Sequence, residues 1–229
     1  NPVNALISKI SLDYYSTIKD EIGFRQAGYF WMYSNEHWER ASQLLKNNPH
    51  LTNMGIEYLT PGEITKRFSF IDKVSDLGGA TFSPKDGLLN ANLLKGHYRT
   101  RARKRGAEFL NRIWVHHGEV LSDGTIELQA WQWPNTLSDD ELKQILTARD
   151  TRGATNIKIK TKSLVNCSGA WARRFANCMG TDCQSQPIRR QVSVFDCKGL
   201  DLTQYGMFVD SSGVYFHPEA NYILGGYAT

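Results

Sequence analysis

Cysteine is scarce in this sequence, long apolar runs are missing, and each shortage excludes something. The 229 residues hold four cysteines, Cys167, Cys178, Cys183 and Cys197, with no C-x-x-C pair and no histidine at zinc-ligand spacing. A zinc site is thereby excluded, and no metal is expected. The thiols are expected to be reduced and mostly buried, which suits a cytoplasmic setting, or the mitochondrial matrix if the source is eukaryotic. No stretch reaches the roughly 18 consecutive apolar residues of a membrane span, so no span is expected. The opening NPVNALISKISLDYY lacks the charged-then-apolar layout of a secretory signal. There is no internal repeat and no low-complexity tract. The sequence starts at Asn1 without methionine and stops at Thr229 just after YILGGYA, an apolar segment with strand character, so both ends look cut.

What is present is ordinary for a chain with a proper core: 41% hydrophobic and 22% charged residues, enough for one large domain or two small ones. The net charge is +4, and much of the excess lies in Lys95, Arg99, Arg101, Arg103, Lys104 and Arg105. Such a run marks either a nucleic-acid or membrane patch, or the solvated face and last turn of a helix. The second is expected, because cations complement a helix C-terminus and Gly106 supplies the stop. No nucleic-acid partner is expected.

Hydrophobic period and punctuation place the elements. Residues 5–22 read as a helix closed by Gly23, 27–34 as an aromatic strand, and 35–45 as a helix. IEYL is a short strand. Thr60 and Glu63 form a capping box with Pro61 at the first helical position, opening a helix to Arg67. GGATFS is a strand leading to an Asp86-Gly87 turn, after which Asn90 or Asn92 caps the helix LLKGHYRTRARKR. Strands EFL, IWVHHGEV, TIELQAW, NIKIK and SLVNC follow. Between the third and fourth, Ser138 and Glu141 cap a helical excursion, DDELKQILTAR. A helix runs from Gly169 to about Cys178, followed by strands IRRQVSVFD, GVYFHP and NYILGGYA. Strand-helix alternation in the middle with antiparallel-type strands at either end predicts two intertwined domains, each built from non-adjacent stretches.

The most informative junction is SLVNCSGAWARRF. An apolar strand reaches Ser168-Gly169 and enters a helix whose free amides can meet an anion such as a pyrophosphate. A plain crossover turned by Gly169 is the alternative. Here a resemblance becomes specific: V-N-x-x-G-A-W resembles the late strand-turn-helix of the FAD domain in the D-amino-acid oxidase and sarcosine oxidase superfamily. Asp86-Gly87 with Leu93-Leu94 is similar to that family's D-G-x-x-x-P-x-x-L, and Gly106 with Val115 to its G-A-x-(six residues)-V. Pro187-Ile-Arg-Arg-Gln191 resembles its P-x-x-R-G-Q strand. Gly213-Val-Tyr215-Phe-His217-Pro218 with Gly225-Gly226 resembles its G-x-Y-x-x-P and G-G hairpin. Together these cover residues 80 to 226. VDSSGVYFHPEANYILGG looks nearest to the FAD-dependent oxidoreductase domain proteins that include a mitochondrial member linked to complex I assembly, and to sarcosine and dimethylglycine dehydrogenases.

The resemblance implies a mixed α/β and α+β flavin oxidase fold. Residues 1–22 and 90–183 would form a partial FAD-binding domain, and 23–89 and 184–229 a partial substrate domain with a mainly antiparallel sheet. It implies FAD, with the backbone of Val115 at the adenine end and Ser168, Gly169 and Trp171 lining the dinucleotide. Tyr215 matches a position that points its hydroxyl at a substrate carboxylate. His217, on the same strand face, would add a donor there, or be structural. Val214 and Phe216 would face the other way, into the core. No catalytic side chain is assigned.

The sequence departs from the family in places. No G-x-G-x-x-G occurs, so the turn that holds the FAD pyrophosphate is not in this sequence. The family's G-x-R-P-x-x-P-D segment and closing glycine-rich loop are absent too. Asn90-Ala91 replaces Asp-Pro, and Arg190 stands before Gln191 in place of glycine. The reaction implied is oxidation of a small amine or amino acid, of sarcosine, dimethylglycine or D-amino-acid type, to an imine. Electrons would pass to oxygen, a quinone or another flavoprotein. The alternative is a non-catalytic interaction module, or a nucleic-acid binder using residues 93–105, where His97-Tyr98-Arg99 interleaves rings with cations.

Overall fold

The computed structural model describes residues 2–227. They divide into two compact units, Asn1–Gly106 with Arg190–Thr229, and Ala107–Arg189.

The first unit opens on two helices, α1 (Pro2–Thr17) and α2 (Lys19–Ile22), where the sequence predicts one. Ile18 breaks them apart with non-helical angles, φ −125° and ψ 21°. Just before it, Ser16 and Thr17 donate their hydroxyls to the carbonyls of Leu12 and Tyr14 at 2.8 and 2.7 Å, a back-bonding that competes with helical continuation. Gly23 ends α2 in the left-handed region, φ 61°.

The core of this unit is a seven-stranded sheet ordered β2-β3-β1-β8-β9-β10-β7. Its strands are β1 (Tyr29–Ser34), β2 (Glu57–Leu59), β3 (Leu77–Ser83), β7 (Val192–Phe195), β8 (Met207–Val209), β9 (Val214–Glu219) and β10 (Tyr222–Tyr227). All pairs are antiparallel except β1 with β8. Strand alternation divides the aromatics of β1 between two faces. Phe30 and Met32 enter a buried cluster with Ala80 and Phe208, covered by Ile64 and Phe68. Tyr29, Trp31 and Tyr33 point the other way, their rings stacked in a row at 6.0 and 6.3 Å.

Two helices flank β2 in sequence: α3 (Asn35–Lys46) before it and α4 (Pro61–Arg67) after it. Trp38 of α3 lies so close to β3 that a Cβ on Gly79 would stand 2.4 Å from its ring, which is why that strand position has no side chain. The capping box of α4 forms as predicted: the Thr60 hydroxyl accepts from the Glu63 N–H at 3.4 Å, and the Glu63 carboxylate accepts from the Thr60 N–H at 2.8 Å. These bonds from the Thr60 backbone and side chain hold the Glu63 carboxyl below its ordinary range. Thr60→Ala is expected to cost about 1 kcal/mol near neutral pH. A depressed folded-state pKa means the carboxylate's share is present above its unfolded value and is lost as pH falls through the folded one. The destabilisation measured by urea titration should therefore shrink in acid, and a cost independent of pH would contradict this account.

The basic helix α5 (Ala91–Lys104) is capped by the Asn90 side chain, which accepts from the N–H groups of Asn92 and Leu93. It is tied to α1 and α2 through His97. The Nδ1 of His97 bonds to Glu21 at 2.7 Å and its Nε2 meets the Tyr14 hydroxyl at 2.8 Å, while Arg101 also donates to Tyr14. One side of the basic helix is thus a packed, hydrogen-bonded surface.

The second unit is a three-stranded antiparallel sheet, β4 (Ile113–Val120), β5 (Ile126–Gln132) and β6 (Thr155–Thr161), in that order. The predicted excursion between β5 and β6 is α6 (Asp139–Thr147), with its own capping box from Ser138 and Glu141. A 3-10 turn, Gly169–Trp171, leads into α7 (Ala172–Cys178), which packs on β4. Gly118 of β4 makes room for Met179, whose sulfur would lie 2.2 Å from a Cβ there.

Several expectations need correction. EFL and SLVNC are not strands, because no described strand lies beside either to complete a ladder. IRRQVSVFD contributes only Val192–Phe195, and β8, only three residues long, is an addition. Ala228 of the last predicted strand lies outside the described residues. No cysteine is buried: Cys167 is exposed in the unpaired segment before the 3-10 turn, and the other three are half-buried. No described helix is long and apolar enough to cross a membrane, and the described residues hold no cluster of potential metal ligands.

Candidate cofactor pocket and substrate face

Within the second unit lies a pocket of about 680 Å³. Three residues singled out from the sequence, Val115, Ser168 and Trp171, line it together. Gly169 sits between two of them and turns the chain with φ 55°. Asn166 fixes this turn by accepting from the Ser168 N–H at 3.1 Å and donating to the Ala172 carbonyl at 2.9 Å. Val115 borders a bulge in the β4–β5 ladder, where the register shifts before His117. Such bulges re-aim a strand next to a site.

Sequence reasoning missed the rest of the wall. Trp114 and Trp133 lie with ring centroids 6.5 Å apart and planes 22° from parallel. The Arg174 guanidinium sits 4.6 Å from the centroid of Trp114. Trp133 is buried and donates its indole N–H to the Arg152 carbonyl at 3.2 Å. Arg112, Phe175 and the α6 leucines Leu142 and Leu146 complete the enclosure. The available signal was the spacing of tryptophans in I-W-V and A-W-Q-W on adjacent strands.

In the first unit, Tyr215 and His217 share the sheet face opposite the core, as the strand period predicts. Phe216 faces the core, stacked on Phe208 at 5.0 Å and 6°. Val214 does not join it: it lies at the start of β9, beyond the aromatic cluster, and is 46% exposed. Cross-strand register puts Trp31 beside Val209, Val209 beside Tyr215 and Tyr215 beside Gly226, one row across the outer face. The Tyr215 phenol lies against Gly226, where a Cβ would stand 2.5 Å from its hydroxyl. No described residue hydrogen-bonds that hydroxyl.

His217 turns one ring nitrogen to the backbone. Its Nδ1 is 3.0 Å from the Pro218 carbonyl, which can only accept, so Nδ1 carries the proton. Nε2 is then the acceptor nitrogen of the ring. Tyr29 and Tyr33, on the same face, have their phenol pKa values raised by burial, with the Asp86 charge adding to the effect on Tyr29. They remain neutral donors. Burial also pushes the Asp86 carboxyl up, against a lowering bond from Ser83. Trp31 and Tyr33 border a further cleft of about 430 Å³ that includes His37, Arg40 and Ser211, residues the sequence reading passed over.

The pocket suits one end of a dinucleotide. Its volume falls inside the range of about 300–1,000 Å³ for small-molecule sites, and flat aromatic walls with two guanidinium groups match a base and its anionic tail. Among the described residues that line it there is no glycine-rich pyrophosphate turn.

The described residues combine a mainly antiparallel seven-stranded sheet with a separate three-stranded meander. The family model described as DAO, FAD dependent oxidoreductase, matches residues 4–229, and the chain belongs to that family, which uses FAD. Solved structures agree. L-proline dehydrogenase from P. horikoshii is 18% identical with a TM-score of 0.69 over 99% of this chain and 55% of its own. Glycine oxidase from Geobacillus kaustophilus is 20% identical with a TM-score of 0.68 over 100% of this chain and 56% of its own. L-alpha-glycerophosphate oxidase from Mycoplasma pneumoniae, with FAD bound, is 15% identical with a TM-score of 0.68 over 100% and 59%. The chain therefore spans somewhat over half the length of these relatives. No curated protein matches the sequence.

Proposed function

We propose that the protein containing this chain oxidises a small amine or amino acid to an imine with FAD, the substrate carboxylate being held at the outer sheet face by Tyr215. The observation that carries this reading is the outward-facing Tyr215 hydroxyl, to which no described residue hydrogen-bonds, on the same sheet face as Tyr29, Trp31 and Tyr33. His217 adds its Nε2 acceptor to that face, its Nδ1 being turned to the Pro218 carbonyl. The flavin supplies hydride acceptance, and the side chains supply orientation. Val115, Ser168, Gly169 and Trp171 are assigned to the adenosine end of the cofactor. Residues 1–22 and 90–183 are assigned to cofactor binding, and 23–89 and 184–229 to substrate binding. Oxygen, a quinone or another flavoprotein takes the electrons, and the setting is cytoplasmic or mitochondrial.

Two experiments test this. The full-length protein, loaded with FAD and kept anaerobic, should lose its visible flavin absorption when mixed with sarcosine, dimethylglycine or a D-amino acid. Bleaching by a hydroxy compound alone would refute the amine reading. The 229-residue chain itself should take up FAD weakly and stay colourless, because the main pyrophosphate contacts come from a turn its sequence does not contain. A stoichiometric yellow complex with this chain would show that its own residues complete the cradle.

A further inference from the structure

Arg112 departs from its surroundings in three ways, all on the wall of the large pocket. Its backbone is left-handed, with φ 58°, which a residue bearing a Cβ seldom tolerates. Its Nη1 is buried and meets no hydrogen-bond partner among the described residues. Its Nη2 donates at 2.6 Å to Asp139 in the first turn of α6, a carboxylate that is otherwise 95% exposed. A pair with so exposed a partner contributes little stability. It does not compensate for a strained backbone and an unmet buried donor, a combination that collects at ligand sites.

The remaining lining groups decide what ligand. Trp114, Trp133, Trp171 and Phe175 present flat apolar surfaces, and Arg174 adds a second guanidinium. No carboxylate lines the pocket. Flat walls and cations, with no acid among the described lining residues, suit a planar ring joined to an anion, a class to which a purine nucleotide belongs. We propose that Arg112 is the specificity-determining donor of this pocket, giving its guanidinium to the nucleotide, and that Asp139 is a positioning residue that holds the side chain ready. The inference rests on the reading that the pocket takes the adenosine end of the cofactor. It adds the residue that recognises that end.

The test uses ADP, which carries that end without the flavin, titrated into the chain with isotope-labelled tryptophan while the indole N–H signals are read by NMR. Signals of Trp114, Trp133 and Trp171 should shift saturably, and those of Trp31 and Trp38, in the other unit, should stay. Arg112→Ala should weaken ADP binding about ten- to a hundredfold, the loss of one charge-assisted hydrogen bond. Asp139→Asn should weaken it less than about tenfold, and Arg112→Lys should recover part of the loss, since the charge remains and the fork does not. Saturable shifts with unchanged affinity in Arg112→Ala would overturn the role of Arg112 while leaving the pocket assignment standing. No shift in the parent chain would overturn both. If Arg112→Ala loses the folded spectrum, Arg112→Lys decides: wild-type affinity in that variant overturns the proposal, and a drop of about threefold or more supports it.

Discussion

Phe30→Ala should lower the stability of the first unit by about 3–5 kcal/mol, a large part of what a domain of this kind possesses. The ring is 1% exposed. It lies 4.5 Å from Phe68 and 5.5 Å from Phe208, centroid to centroid, so its neighbours come from a strand and from the loop after α4. Phe68 and Phe208 also touch each other at 5.3 Å in an edge-on contact, and Phe208 is held from behind by Phe216. Rings locked against one another on separate elements cannot slide into the gap that truncation leaves. Cavity cost therefore adds to lost burial. Urea unfolding followed by near-ultraviolet circular dichroism gives the number, and a loss below about 1 kcal/mol would mean the cluster closes over the gap.

Tyr215→Phe in the full-length protein should raise the substrate constant about ten- to a hundredfold and leave bound flavin unchanged. The substitution removes one oxygen. The ring stays where the glycine of β10 lets it lie, and the core face of β9 is untouched because Phe216 occupies it. A change in flavin content with no change in substrate constant would move Tyr215 from substrate binding to a structural role. His217→Gln provides a contrast. Glutamine keeps an acceptor at that place on the strand, so substrate affinity should fall less than in Tyr215→Phe.

Sequence period was a sound guide where an element's own side chains decide its conformation. The capping boxes at Thr60 and Ser138, the Asn90 cap and the two-faced strands at Tyr29–Ser34 and Val214–Glu219 are local statements written in adjacent residues. It misled where conformation depends on a neighbour. SLVNC has every apolar mark of a strand, yet a ladder needs a second chain beside it, and none is described there. The helix predicted over residues 5–22 failed at Ile18 because hydroxyl back-bonding, invisible to hydrophobic period, wins at Ser16 and Thr17. The candidate site was half legible. Resemblance led to Val115, Ser168 and Trp171, but Arg112 shows itself only through its backbone angle and its unmet donor, neither of which a sequence displays.

One margin of the seven-stranded sheet has a consequence for handling the protein. Strand β7 stands at the end of the strand order, and Val192, Val194 and Phe195 are each more than half exposed. Along its outer side the backbone has no described strand to pair with, and there is neither a proline nor a lysine within Val192–Phe195 to discourage a newcomer. Such a rim accepts whatever extended chain arrives, including the same rim of another molecule. Turbidity during concentration would then grow from the margin of an intact fold, with no unfolding required, and a single lysine at Val194 should restrain it.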